Sequence, residues 1–255
     1  SIVREGDAWV LNGRKWFITG AMNERTKILI VMGKSDPSNA SRHLQQTQVL
    51  VPKDTAGLTL VRPLSTFGYD DAPIGHAELI FENCRVPLDN VLLGEGRGFE
   101  IAQGRLGPGR MHHCMRLIGT GQRALELACK RAVSRSTFGR KLSKHQSVRE
   151  DISRMFSEIE MARLLVLKTC YKIDEKGVAA SIDMIAATKT TIPLLIQNVI
   201  DRAMQMHGAG GLTADYCMAE GFNYARWCRQ ADGPDQVHQM SLGKQIIERY
   251  SGEQA

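Results

Sequence analysis

Leu93-Gly94-Glu95-Gly96-Arg97-Gly98-Phe99-Glu100-Ile101 is the stretch where the hydrophobic period of the chain changes. Upstream, short apolar runs suit strands: Trp9-Val10-Leu11, Lys15 to Thr19, Lys27 to Met32, Thr47 to Val51, Leu58 to Val61 and His76 to Phe81. Asn12-Gly13 between the first two reads as a hairpin turn. The polar run from Ser35 to Gln46 reads as a surface loop. Downstream, apolar residues recur at helical spacing, as in Leu117, Ile118, Gly121, Leu125 and Cys129. Further helices are predicted over residues 144–176, 181–207, 215–229 and 235–250, the first of these ending at Gly177 and the second at Gly208. The expected class is therefore α+β: an antiparallel, barrel-like sheet domain over residues 1–95 and an antiparallel helical bundle over residues 96–255.

The composition bounds the function. A chain of 255 residues with 43% hydrophobic and 24% charged content can bury a substantial core. The 33 Lys+Arg against 27 Asp+Glu give a charge of +6, but the basic residues are scattered, so a nucleic-acid-binding arm is not expected. The six cysteines contain no C-x-x-C pair and read as reduced thiols. No uninterrupted apolar window approaches the length of a membrane span, so no transmembrane segment is expected. The chain starts at Ser1-Ile2-Val3 in mid-pattern, without an initiating Met, which suggests a piece of a longer polypeptide.

Several residues invite chemistry, each beside a plainer structural role. Ala231-Asp232-Gly233-Pro234-Asp235-Gln236 places Asp232 on a tight turn before a helix, as a capping side chain or as an exposed base. Gly208-Ala209-Gly210-Gly211 is a helix end, or a backbone stretch that phosphates can approach. Arg135 to Arg140 is a solvated basic turn or a pyrophosphate clamp. Alternation in Trp16-Phe17-Ile18-Thr19 sends Phe17 and Thr19 to one face and Trp16 and Ile18 to the other. His112 and His113 point about 100° apart on a helix, so they read as one exposed and one satisfied residue, not as a metal pair.

Taken in order, Trp16-Phe17-Ile18-Thr19-Gly20, His76 to Pro87, Asn90 to Phe99, Arg135-x-Thr-Phe-Gly139, His145-Gln146, Gln205-x-x-Gly208-x-Gly-Gly211 and the turn at Asp232 resemble the acyl-CoA dehydrogenase family over essentially the whole chain. Gln103 to Arg110 and the Asp232 turn look most like the branch of family members ten and eleven. The resemblance implies FAD as cofactor and α,β-dehydrogenation of an acyl-CoA thioester. It makes Asp232 the α-proton base, facing an apolar acyl chain that would raise its pKa. The resemblance also implies that Phe17 and Thr19 face the flavin, that Arg135, Phe138, Gln205 and Gly208 hold the FAD of a neighbouring subunit, that Gln236 lies near the FAD of its own subunit, and that Arg110 and Gly233 flank the substrate. An electron-transfer flavoprotein as acceptor, a homodimer or homotetramer, and a bacterial cytoplasm or a mitochondrial or peroxisomal matrix belong to the same expectation. The family's N-terminal helical domain has no counterpart in this sequence.

The chain also departs from the family pattern. Most relatives carry Glu at the position of Asp232, and others carry it at the position of Gly109, where this chain has no side chain to serve. Nitroalkane oxidases, distant relatives, use Asp. A flavin oxidase of another acidic C–H substrate is therefore a second expectation, and a scaffold that assembles without FAD is a third.

Overall fold

A computed structural model describes residues 1–251. Six principal strands come first: β1 (Ile2–Glu5), β2 (Ala8–Thr19), β3 (Ile28–Lys34), β4 (Gln46–Pro52), β5 (Leu58–Leu64) and β6 (His76–Pro87). They form a four-stranded antiparallel sheet in the order β1-β2-β6-β5 and a two-stranded antiparallel pair, β3-β4. Ile2, Trp9 and Leu11 of the first sheet share one core with Leu29, Val31, Val49 and Val51 of the second. Alternation supplies that core: on β3, Leu29 and Val31 are buried while Ile28 and Ile30 face out.

The hairpin expected at Asn12-Gly13 is not there. β2 runs straight through both residues, and the chain reverses at Gly6-Asp7, with Glu5 opposite Ala8 and Gly6 at φ +63°. Glycine in the first central position supplies the positive φ that a two-residue hairpin needs. Asn12 instead braces a bulge in β6. Its amide donates to the Asn83 side chain at 3.1 Å and accepts from the Asn83 N–H at 2.8 Å. A second bulge, on β2 between Lys15 and Ile18, overturns the expected alternation of the Trp16–Thr19 run. Phe17 there takes φ +56°, and Trp16 and Phe17 are both exposed, in edge contact at 4.6 Å. The extra residue is what turns two successive rings outward.

The glycine run at 94–98 has a packing reason. The Gly96 N–H donates to Thr47 Oγ1 and the Gly98 carbonyl accepts from Gln48 Nε2, each at 2.9 Å. A Cβ on Gly98 would lie 2.8 Å from the Gln46 carbonyl oxygen, so only glycine allows α1 to begin against β4. Compactness divides the chain into a unit from Ser1 to Arg105 and a second beginning at Leu106.

Five helices follow: α1 (Gly98–Ser134), α2 (Gln146–Lys176), α3 (Ile182–His207), α4 (Met218–Cys228) and α5 (Asp235–Ser251). Between α1 and α2, the short strands β7 (Ser136–Thr137) and β8 (Arg140–Lys141) form a ribbon. α2 ends at Gly177, φ +78°, as expected. Pro108 lies inside α1 and Pro193 inside α3. The helical core gathers Leu117 and Leu125 of α1, Met155, Ile159 and Val166 of α2, and Ile192, Ile196, Val199 and Ile200 of α3.

One stretch, Ala179–Leu212, is long and apolar enough to cross a membrane by length and composition, which the sequence reading did not anticipate. Half of its apolar window is buried within the protein. Its central helix, α3, packs against α2, α4 and α5, so a helix enclosed by neighbours is apolar on most of its circumference for that reason.

Candidate active site

Within the helical unit the chemistry converges on the turn between α4 and α5. Asp232 sits there at φ +56° and Gly233 at φ +105°. The left-handed conformation costs a non-glycine residue roughly 1–3 kcal/mol, so the surroundings must hold it. Three side chains do. Arg110 Nε and His238 Nε2 bond the Asp232 carbonyl oxygen at 3.0 and 3.2 Å. Lys189, from α3, donates to the Cys228 carbonyl at 2.5 Å and reaches the Gly233 carbonyl at 3.5 Å. A Cβ on Gly233 would lie 2.7 Å from His238 Nε2, so glycine is needed for space as well as for φ. Pro234 precedes α5, its carbonyl accepting from the N–H groups of Val237 and His238.

The Asp232 carboxylate is directed at α1. Oδ2 lies 3.3 Å from His113 Nε2, with the Asp232 side chain 22% exposed. His113 Nδ1 in turn lies 3.0 Å from Arg116 Nη2 and 3.0 Å from the Tyr224 hydroxyl. A guanidinium can only donate, so Nδ1 is the accepting nitrogen and the ring proton sits on Nε2, facing Asp232. Tyr224 and Trp227 flank the imidazole at ring distances of 6.4 and 5.6 Å. The hydrogen bond from His113 holds the Asp232 carboxyl below its ordinary value, with help from the nearby charges of Arg110 and Lys189, while burial pulls the other way. Burial pushes the Lys189 ammonium and the His238 imidazole down, and it pushes the Cys114 and Cys228 thiols up to about 12.

Burial pulls the Asp232 carboxyl upward, the direction an apolar acyl chain would add to, but the net shift within the chain is downward. The reason is His113, a donor brought in from a residue 119 positions away in sequence. Because the folded pKa is depressed, Asp232 adds stability above its unfolded value near 3.8 and loses it as pH falls through the lower folded value. His113→Leu is expected to move the carboxyl upward in a carbon-detected NMR titration. An unmoved titration would remove His113 from this role.

Of the other expected site residues, Phe17 and Thr19 belong to the sheet unit, and Arg135, Phe138, Gln205, Gly208 and Gln236 to the helical one. Thr19 Oγ1 is 3.0 Å from His76 Nδ1 in the sheet unit, and the Phe17 ring stands 6.3 Å from the His76 ring. Phe138 and Gly139, at φ +49° and +77°, make the two-residue turn of the β7-β8 ribbon, and the Phe138 side chain is 97% exposed at its tip. Arg135, Gln205, Gly208 and Gln236 are exposed, Gly208 ending α3 at φ +64°. Of the substrate-flanking pair, Arg110 and Gly233 both belong to the Asp232 cluster.

Sequence reasoning gave no role to His113, Tyr224, Lys189 or His238. The pair His112-His113 was read only as one exposed and one satisfied residue, with neither assigned. That much holds, since His112 is exposed, but the partner of His113 was not foreseeable. Tyr224 gave no local signal. Lys189 did give one, because it lies in the apolar run of α3 with Ile185, Ile192 and Ile196 and is fully buried.

Comparison with known proteins agrees with this architecture. Residues 96–247 match the family model for the acyl-CoA dehydrogenase C-terminal domain, and residues 1–84 match that for the acyl-CoA dehydrogenase middle domain. The chain is 50% identical over 251 residues to acyl-CoA dehydrogenase family member 10 of Mus musculus, covering 98% of this chain and 23% of that protein. It is 50% identical over 245 residues to acyl-CoA dehydrogenase family member 11 of Gallus gallus, covering 96% and 32%. A solved putative acyl-CoA dehydrogenase from Mycobacterium abscessus superposes with a TM-score of 0.95 at 44% identity, covering 98% of this chain and 61% of that one. The chain thus spans a quarter to a third of those two curated relatives. With both domain models matched in order along one chain, this protein belongs to the acyl-CoA dehydrogenase family.

Proposed function

We propose that the protein containing this chain is a flavin-dependent acyl-CoA dehydrogenase in which Asp232 removes the α-proton. The reading rests on one observation above the others. In the unit matched to the C-terminal domain, a carboxylate is held on a strained turn by three side chains that serve its backbone and one that serves its oxygen. Such over-determination of a positive-φ residue fits a functional group better than a loop. The carboxylate takes its bond from His113, and the first N–H of α5, that of Asp235, donates to the Arg229 carbonyl at 3.2 Å instead of to Asp232.

The residues fit FAD as the resemblance assigns it. The outward Trp16–Phe17 ring pair and the exposed Thr19 hydroxyl offer the sheet unit's stacking surface and polar contact. Arg135 and the fully presented Phe138 ring offer a cation and an aromatic face to a pyrophosphate and an adenine. When bound, FAD supplies the acceptor for the hydride that leaves the β-carbon. The protein's own part is proton chemistry: the Cα–H bond breaks, the proton passes to Asp232, and the electron pair forms the new Cα=Cβ bond of a trans-2-enoyl thioester. Below its ordinary pKa, Asp232 is ionised and ready but a weak base. An acyl chain that excludes water and disturbs the His113 contact would strengthen it.

The same depressed pKa favours a second reading, a flavin oxidase acting on a more acidic C–H such as that of a nitroalkane. Anaerobic addition of short- to very-long-chain acyl-CoAs, and separately of nitroalkanes, to the purified full-length protein distinguishes them by which bleaches the flavin. Bleaching by neither would sink both. Rapid reoxidation by O₂, rather than by an electron-transfer flavoprotein, is the mark of the oxidase.

Assembly as a homo-oligomer follows from the same reading. α2 leaves Phe156, Leu164, Leu167 and Tyr171 exposed at helical spacing, a stripe suited to a second copy. Phe138→Ala should change the unfolding free energy by no more than about 0.5 kcal/mol, since among the described residues Phe138 is almost fully exposed. It should weaken FAD retention by roughly tenfold or more, the loss of one stacked aromatic. Gel filtration followed by the flavin-to-protein absorbance ratio reads the effect, and full retention would contradict the assignment.

A further inference from the structure

The sheet unit holds the Thr19 hydroxyl in series with an imidazole and a carboxylate, His76 and Asp71, that the dehydrogenation chemistry above does not use. Thr19 Oγ1 lies 3.0 Å from His76 Nδ1, and His76 Nε2 lies 3.0 Å from Asp71 Oδ2. The His76 side chain is only 5% exposed, and that of Asp71 is 34% exposed. Each member is placed by the backbone rather than by chance contact of long side chains. Thr19 and His76 are directly paired across β2 and β6. Asp71 sits at φ +53° in a turn closed by the Gly75 N–H on the Asp71 carbonyl, at 2.8 Å. That turn is tied back to β2, because the Gly75 carbonyl accepts from the Gly20 N–H at 2.9 Å. Asp70, next in line, spends its own carboxylate on the Ala72 N–H, so it does not compete for the ring.

The series has a direction. A carboxylate only accepts, so His76 Nε2 carries a proton toward Asp71. With the ring neutral, Nδ1 is then bare and can only accept. Thr19 is the one side that can give, so its hydroxyl hydrogen points inward at Nδ1 and the oxygen lone pairs face outward. We propose that Asp71 and His76 are positioning residues that lock the Thr19 hydroxyl as an outward-facing hydrogen-bond acceptor. A threonine alone would rotate and serve as donor or acceptor equally.

The consequence for a flavin rests on the function proposed above, in which Thr19 faces the flavin; the family resemblance puts its hydroxyl at the N5 edge. N5 is an acceptor in the oxidised ring and carries a hydrogen in the reduced one. A locked acceptor has nothing to give the first and bonds the second. The relay therefore favours the reduced cofactor and makes the hydride-accepting step more downhill, by the worth of about one hydrogen bond. That is roughly a tenfold bias in the reduced-to-oxidised ratio.

Two measurements test the proposal. Long-range ¹H–¹⁵N correlation at pH 8 reads which His76 nitrogen carries the proton and needs no flavin. Nε2–H with bare Nδ1 is expected in the native protein and in Asp71→Asn, which keeps an accepting oxygen. Asp71→Leu should release the ring to the Nδ1–H form. A native ring protonated at Nδ1 overturns the relay outright, even if Asp71→Leu does not fold. The second measurement is the flavin midpoint potential of the full-length holoprotein. Asp71→Leu should lower it, with a reduced-to-oxidised ratio about tenfold smaller at fixed potential, Asp71→Asn should restore it, and in a Thr19→Val background Asp71→Leu should change nothing. A switched tautomer with an unchanged potential overturns the link to the flavin. Failure of the native full-length protein to bind FAD counts against the proposed function, while the ring-nitrogen result still decides the relay.

Discussion

Asp232→Asn in the full-length protein is expected to bind acyl-CoA and yet reduce its flavin about a hundred- to ten-thousand-fold more slowly than the native protein in anaerobic stopped flow. The amide has nearly the shape of the carboxylate and can keep a bond to His113 by presenting its oxygen to Nε2–H. It cannot accept the α-proton. Binding, read from the ligand-induced shift of the flavin spectrum, should therefore survive while chemistry fails. No second carboxylate stands ready at Gly109, where some relatives keep theirs, so rescue from that position is not expected. Native-like reduction by Asp232→Asn would transfer the base to another group, with His113, 3.3 Å away, the first to examine.

Lys189→Ala should be the most destabilising single change in the helical unit, at about 3–5 kcal/mol by urea unfolding. Lys189 has no exposed surface, and its ammonium serves the carbonyls of Cys228 and Gly233 at either end of the Asp232 turn. Truncation leaves a cavity where its stem was and two acceptors without their donor. Lys189→Met fills the cavity and relieves the cost of burying a charge, so its loss should be smaller, about 1–3 kcal/mol. The difference between the two variants separates packing from hydrogen bonding. If Lys189→Met equals or exceeds the native stability, the ammonium contributes nothing net to the fold. Its remaining role would then be to hold Asp232 in place, and the Asp232 carboxyl titration would show it.

These two residues differ in how far the sequence announced them. Asp232 was visible because its turn chemistry is local: Gly233 and Pro234 beside it mark a loop-to-helix junction, and the resemblance supplied a role. Lys189 was visible only as a charge in an apolar stripe, with nothing to say which acceptors it would meet. Which of His112 and His113 is satisfied, and by what partner, stayed open in the sequence, because the pairing of α1 with the α4–α5 turn is a product of bundle packing. The depressed pKa of Asp232 followed the same course, since desolvation can be guessed from an apolar context but a donor from a distant helix cannot.

The strands divide in the same way. Alternation located every principal strand but β1, yet it misplaced the first hairpin, because Asn12-Gly13 has a turn-forming composition that the sheet overrides with a side-chain brace to Asn83. It also sent Trp16 and Phe17 to opposite faces, and the bulge on β2 put both rings outside. A bulge adds one residue without changing composition, so a period-two reading has no signal for it.

By itself the sequence determined the class of fold, the switch from sheet to helices at the 94–98 glycines, the helix ends at Gly177 and Gly208, and the family. These are local properties, set by hydrophobic period, by positive-φ glycines and by motif order. Only the tertiary structure decided the His113 and Lys189 partners of the Asp232 turn, the Asn12 brace on Asn83, and the series from Asp71 through His76 to Thr19. Each of those depends on which distant segments come within hydrogen-bond reach. That is set by how whole faces pack, not by the residues adjacent in the chain.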